Sequence, residues 1–181
     1  MQNSPHETSP PAKRRLVVSA LGMMQILAWG STYYLPAVLA KPIAADTGWS
    51  LTWTVGALSV GLLVAGFVAP RIGRAIEQWG GRPVLGASAA LFAFGLALLA
   101  MSPHFLVFVL GWIVLGLGMA AGLYDAAFST LGRLYGENAR QAITALTLFG
   151  GLASTVCWPL TAYLNEMVGW RGTCLVYAAF H

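Results

Sequence analysis

The sequence predicts an all-α membrane protein of about six spans. Three observations carry this. The 181 residues are 57% hydrophobic, only 9% charged, and have a mean hydropathy of +0.70. Soluble domains carry about 25% Asp, Glu, Lys and Arg to cover their surface. Apolar stretches near 20 residues recur, each long enough to cross a hydrocarbon core of roughly 30 Å. Lys and Arg fall between these stretches or at their very ends. In lipid every backbone donor and acceptor must be paired internally, so such spans are helices.

The expected spans are residues 16–40, 51–72, 84–101, 105–128, 142–164 and 171–181. Residues 1–15 read as a disordered cytoplasmic tail, with Pro5, Pro10 and Pro11, then Lys13, Arg14 and Arg15. The apolar run from Leu16 to Leu39 is too long for the core of a signal peptide, so it reads as an uncleaved first span. Gly80, Gly81 and Pro83 break the chain before the third span, and Ser102 with Pro103 marks a tight turn before the fourth.

With a cytoplasmic N-terminus, that side holds Lys13, Arg14, Arg15, Arg71, Arg74, Arg82, Arg133 and Arg140, against Lys41 and Arg171 opposite. The bias satisfies the positive-inside rule at every connection. The net charge of +4 forms no patch, which excludes a nucleic-acid partner. Cys157 and Cys174 have no metal-ligand spacing and read as small apolar residues.

An internal repeat appears at a shift of 89 residues. Gly61 aligns with Gly150, Pro70 with Pro159, Glu77 with Glu166, Gly80 with Gly169 and Arg82 with Arg171. Each copy holds three spans, so the second must cross the membrane in the opposite sense. Inverted three-helix repeats are nested within each half of major facilitator transporters.

The stretch GRAIEQWGGRPVL, residues 73–85, is read as the loop after the second span and resembles the signature loop of that superfamily, G-x-x-x-D-R-x-G-R-R. Gly73, Glu77, Gly80 and Arg82 take the first glycine, the acid, the second glycine and the last base. Gln78 and Gly81 stand where bases are usual. Gly73 is expected to allow close helix contact and Gly80 a tight turn. The resemblance implies the N-terminal six-helix half of a secondary transporter, residues 16–181. It also implies that Glu77 and Arg82 latch the cytoplasmic side in the outward-facing state; the plainer reading is charge that sets topology. Asp125, near the cytoplasmic end of the fourth span, reads as a member of that network, with Arg82, Arg74 or Arg133 as partner. The other readings are an interfacial side chain or a proton-coupling carboxylate. The sequence entering the second span, DTGWSLTWTVGALSVGLLVAG, looks like the monocarboxylate-transporter-like branch.

Substrate sites in this fold lie at midplane between the halves. Gln25, Trp29 and Tyr33 recur every four residues and share one helix face. With Tyr34, and with Tyr124 and Trp158 from the fourth and fifth spans, they are the cavity candidates. Trp49 and Trp53 read as interface anchors. No Lys or Arg lies at midplane depth, so an anionic solute would need a cation from elsewhere.

The expected role is gradient-driven transport of a small solute by alternating access, in the bacterial inner membrane, with no cofactor, metal or ATP site. Residues 170–181 supply only about 18 Å of helix, so the sixth span is expected to be cut short and the chain to be a fragment. Its partner is the missing C-terminal half, or a second copy in a self-associating half-transporter. An intramembrane protease, with Ser88 as nucleophile and His181 as base, is the enzymatic alternative. It is disfavoured because Ser88 lies in the third span and Ala89 replaces the glycine that should follow.

Overall fold

The computed structural model describes residues 11–181, with side chains from Arg14 onward. The disordered tail expected ahead of residue 11 lies outside the described residues. The described chain is helical: α1 (Pro11–Ser31), α2 (Leu35–Thr47), α3 (Leu51–Trp79), α4 (Gly81–Ala100), α5 (Phe105–Gly122), α6 (Tyr124–Tyr135), α7 (Ala139–Gly151) and α8 (Ala153–Phe180). A single 3-10 turn at Gly136–Asn138 joins α6 to α7.

Four segments are long and apolar enough to cross a membrane: Arg14–Thr47, Leu51–Trp79, Gly81–Ala100 and Phe105–Phe180. The first is interrupted at 32–34, where Pro36 has no N–H to give the Thr32 carbonyl. Tyr34 N–H instead reaches back five residues to the Trp29 carbonyl at 3.0 Å. The last segment, 76 residues long, is interrupted at Leu123, where the backbone is extended, at Gly136–Asn138, at Leu152 and at Gly169.

Two apolar clusters fill the bundle. One joins Leu35, Leu39, Leu96, Leu99, Trp112, Leu115, Trp170 and Tyr177. The other joins Val18, Leu21, Ile76, Leu85, Leu131 and Leu146. Buried polar side chains include Gln25, Ser31, Thr32 and Ser88. α5 packs on α3 and α4, α1 on α7, and α8 on α1, α2 and α4. The α3–α5 crossing is close because small residues meet: a Cβ on Gly116 would stand 3.0 Å from Gly61 Cα.

The two glycines aligned by the 89-residue shift share one backbone conformation. Gly80 has φ 87° and ψ 165°, and Gly169 has φ 71° and ψ 173°. That region is essentially closed to residues with a Cβ. Each glycine ends one helix and starts another: α3 into α4 at Gly80, and the two parts of α8 at Gly169.

Candidate functional site

The six residues expected at the cavity come together in one cluster. Trp29 is at its centre, with ring centroids 5.4 Å from Tyr33, 6.1 Å from Tyr34 and 5.0 Å from Tyr124. Tyr34 in turn meets Trp158 at 6.3 Å, edge to face. Beneath the rings lies Gln25, only 1% exposed. Its carboxamide oxygen accepts the Trp29 Nε1–H at 3.0 Å, and its nitrogen donates to the Gly122 carbonyl at 2.7 Å. That carbonyl is one the helix leaves unpaired where α5 stops at Leu123. Gln25 therefore joins the break between α5 and α6 to the indole of Trp29.

Two helix interruptions meet this cluster. Tyr33 and Tyr34 lie in the turn between α1 and α2, and Tyr124 opens α6. Trp158 comes from within α8, six residues past the turn at Leu152. Tyr124 leans on Phe128 and donates its hydroxyl to the Thr147 carbonyl at 3.3 Å, tying α6 to α7. Tyr33 and Trp158 stay 41% and 47% exposed, so the cluster presents ring faces outward from the described bundle. No Lys or Arg side chain takes part in it.

At the α3–α4 junction the signature stretch is not a loop. Residues 73–79 are the last two turns of α3, and Gly80 is the only non-helical residue before α4. Helix propensity of the Ala-Ile-Glu-Gln run extends α3 past the boundary expected at 72. Nor does Gly73 serve close helix contact, since a Cβ there would meet nothing within 4 Å. Gly73 and Glu77 instead line an open groove with Ser129, Gly132 and Arg133 of α6.

Arg133 donates to the main-chain carbonyls of Ile76, at 2.6 Å, and of Glu77. A guanidinium at a helix C-terminus satisfies the orphan carbonyls and complements the dipole. The side chains of Glu77, Arg82 and Asp125 are exposed and form no ion pair with one another or with Arg74 or Arg133. Among the described residues the ion pair is Asp46 with Arg171, at the opposite end of the bundle. Sequence reasoning missed this contact. Its signal was Arg171 in register with Arg82. Ser88 and His181 line one small cavity but are not bonded to each other: Ser88 donates to the Leu85 carbonyl at 2.7 Å, while His181 Nε2 bonds Ser31 Oγ at 2.8 Å.

The Major Facilitator Superfamily model matches residues 19–181. The chain belongs to the Major Facilitator Superfamily. It is 32% identical over 154 residues to the transcription regulatory protein OpdE of Pseudomonas aeruginosa, covering 81% of this chain and 37% of the relative. It is 30% identical over 142 residues to monocarboxylate transporter 11 of Mus musculus, covering 75% and 29%. With the purine ribonucleoside efflux pump NepI of Escherichia coli identity is 25% over 146 residues, covering 81% and 37%. The chain thus spans about a third of the length of these relatives. No solved structure matches it. Superfamily membership and the long apolar helices make it a multi-pass membrane protein.

Proposed function

We propose that the chain is the N-terminal, six-span half of a secondary transporter that moves a small solute by alternating access and is not an enzyme. The spans are α1–α2, α3, α4, α5–α6, α7 with the first part of α8, and the part of α8 after Gly169. The N-terminus is cytoplasmic in the inner membrane, on the charge asymmetry of the loops. Residues 16–181 form the bundle. The partner is a second six-span half, with a second copy of this chain as the alternative.

One observation carries this reading: two helix interruptions, at 32–34 and at Leu123, meet at one partly open aromatic cluster. In lipid, irregular backbone is tolerated only where protein or a water-filled cavity covers it. Transporters place substrate sites at such discontinuous helices. Gln25, Trp29, Tyr33, Tyr34, Tyr124 and Trp158 are proposed as one wall of the solute cavity, the other half supplying the second. Relatives named for monocarboxylates and for a purine ribonucleoside leave the solute class open between an anion and an uncharged ring. This wall favours the ring, because it offers aromatic faces and no cation.

Gly73, Glu77, Gly80, Arg82 and Asp125 are proposed as the cytoplasmic latch. The open groove along Gly73 and Glu77 faces Arg133 and is proposed to take a helix end of the second half, with Glu77 lining it and the exposed Arg82 and Asp125 outside its lining.

The test is access from water. A thiol introduced by Trp158→Cys should react with a water-soluble maleimide in membranes, whereas one introduced by Phe67→Cys, on an exposed apolar face of α3, should not. Equal silence at both positions would place the cluster against lipid and end the cavity reading.

A further inference from the structure

The outer half of the first span is a lever held at both ends. α2 is 13 residues long, about 19 Å of helix. At its start is the turn that carries Tyr33 and Tyr34. Near its end Asp46 Oδ2 accepts two donors from α8: Trp170 Nε1 at 2.9 Å and the guanidinium of Arg171. The guanidinium also lies 4.2 Å from the Trp170 ring centroid. The positive-φ backbone of Gly169 turns the chain just ahead of both donors.

An isolated exposed ion pair contributes little. Here one carboxylate oxygen accepts two donors, and the cation–π contact between Trp170 and Arg171 holds those donors side by side. The rest of the α2 interface is apolar: Leu35, Leu39 and Ile43 are buried. Such contacts hold the helix down without fixing its angle, since the hydrophobic term is not directional. The directional contacts on α2 are the turn at one end and the Asp46 cluster at the other.

We infer that Asp46, Trp170 and Arg171 form a clamp that positions Tyr33 and Tyr34 at the cavity, and that its opening releases α2 to admit solute on the face opposite Gly80. The inference rests on the cavity reading above. Asp46 and Arg171 act through the helix and touch no solute. In the second repeat, Arg171 thus takes the register position that Arg82 holds in the first, on the opposite side of the membrane.

The experiment places a thiol in the turn by Tyr33→Cys and measures its rate of reaction with a charged maleimide added to the face opposite Gly80. The native cysteines, both buried, give the background. Asp46→Asn and Arg171→Gln should each raise the rate by roughly fivefold or more, the change that corresponds to about 1 kcal/mol of lost clamping. The exchanged pair Asp46→Arg with Arg171→Asp should return it to within about twofold of the parent, because the exchanged charges again bridge α2 and α8. A reference thiol from Met101→Cys, in the exposed turn after α4, should not change. Equal rates in all four backgrounds overturn the clamp while leaving the cavity intact. A rise at both positions means loosening of the whole bundle and overturns it too. No reaction at residue 33 in any background overturns the cavity reading, and the clamp with it.

Discussion

Gln25 Nε2 lies 2.7 Å from the carbonyl oxygen of Gly122, a residue 97 positions away. The contact closes an account that the break at Leu123 opens. A helix end leaves carbonyls without partners, and a buried carbonyl without a partner costs about 1–3 kcal/mol. The same carboxamide holds the Trp29 N–H, so one side chain fixes both a helix break and the centre of the aromatic cluster.

Gln25→Leu should therefore destabilise the bundle by about 1–3 kcal/mol, with two groups left unpaired. Gln25→Glu should be tolerated less well still. A carboxylate can accept from Trp29 but cannot donate to Gly122, and it is charged in a nearly dry site. Thermal unfolding in detergent ranks the three proteins. A leucine variant as stable as the parent would remove the bond from the account.

Gly73 should part company with Gly80 and Gly169. Gly80→Ala and Gly169→Ala place a Cβ at φ 87° and 71° with ψ near the extended range. Each should cost on the order of 1–3 kcal/mol. Gly73→Ala lies in a helix with open space around it. It should be neutral or stabilising by up to about 1 kcal/mol. Unfolding midpoints of the three variants check the order, and equal losses would contradict it.

The Trp29 indole meets three rings, each contact contributing about 0.5–1.5 kcal/mol. Trp29→Phe keeps a ring and should lower apparent solute affinity by about tenfold or less. Trp29→Ala should cost more than tenfold, because the contacts to Tyr33, Tyr34 and Tyr124 all go. Affinity is read as half-saturation of uptake, with membrane insertion checked in parallel.

Much of this architecture was legible in the sequence. Span length and loop charge are dictated by bilayer thickness and by interface electrostatics, both local properties. Gln25, Trp29 and Tyr33 could be grouped because helical periodicity puts residues four apart on one face. Their meeting with Tyr124 and Trp158 rests on tertiary packing, which periodicity alone does not give. The interruption at 32–34 had a visible cause in Pro36. The one at Leu123 did not, since its stabilising partner is Gln25, nearly a hundred residues earlier. Residues 73–79 read as a loop through their resemblance to the signature loop, yet an isolated glycine only weakens a helix and here α3 runs through it. The Asp46–Arg171 contact needed the three-dimensional arrangement of α2 and α8, although the repeat register already marked Arg171.

The central claim is that the aromatic cluster faces a solute path. It is tested most directly by uptake into membrane vesicles that hold the protein expressed from its own gene. Labelled lactate and labelled inosine serve as the anionic and ring-shaped probes, with parent and Trp29→Ala compared at matched membrane abundance. The account predicts gradient-dependent accumulation of inosine in the parent and its loss in the variant. Accumulation of either solute that is indifferent to Trp29→Ala, or no accumulation of either by the parent, would contradict it.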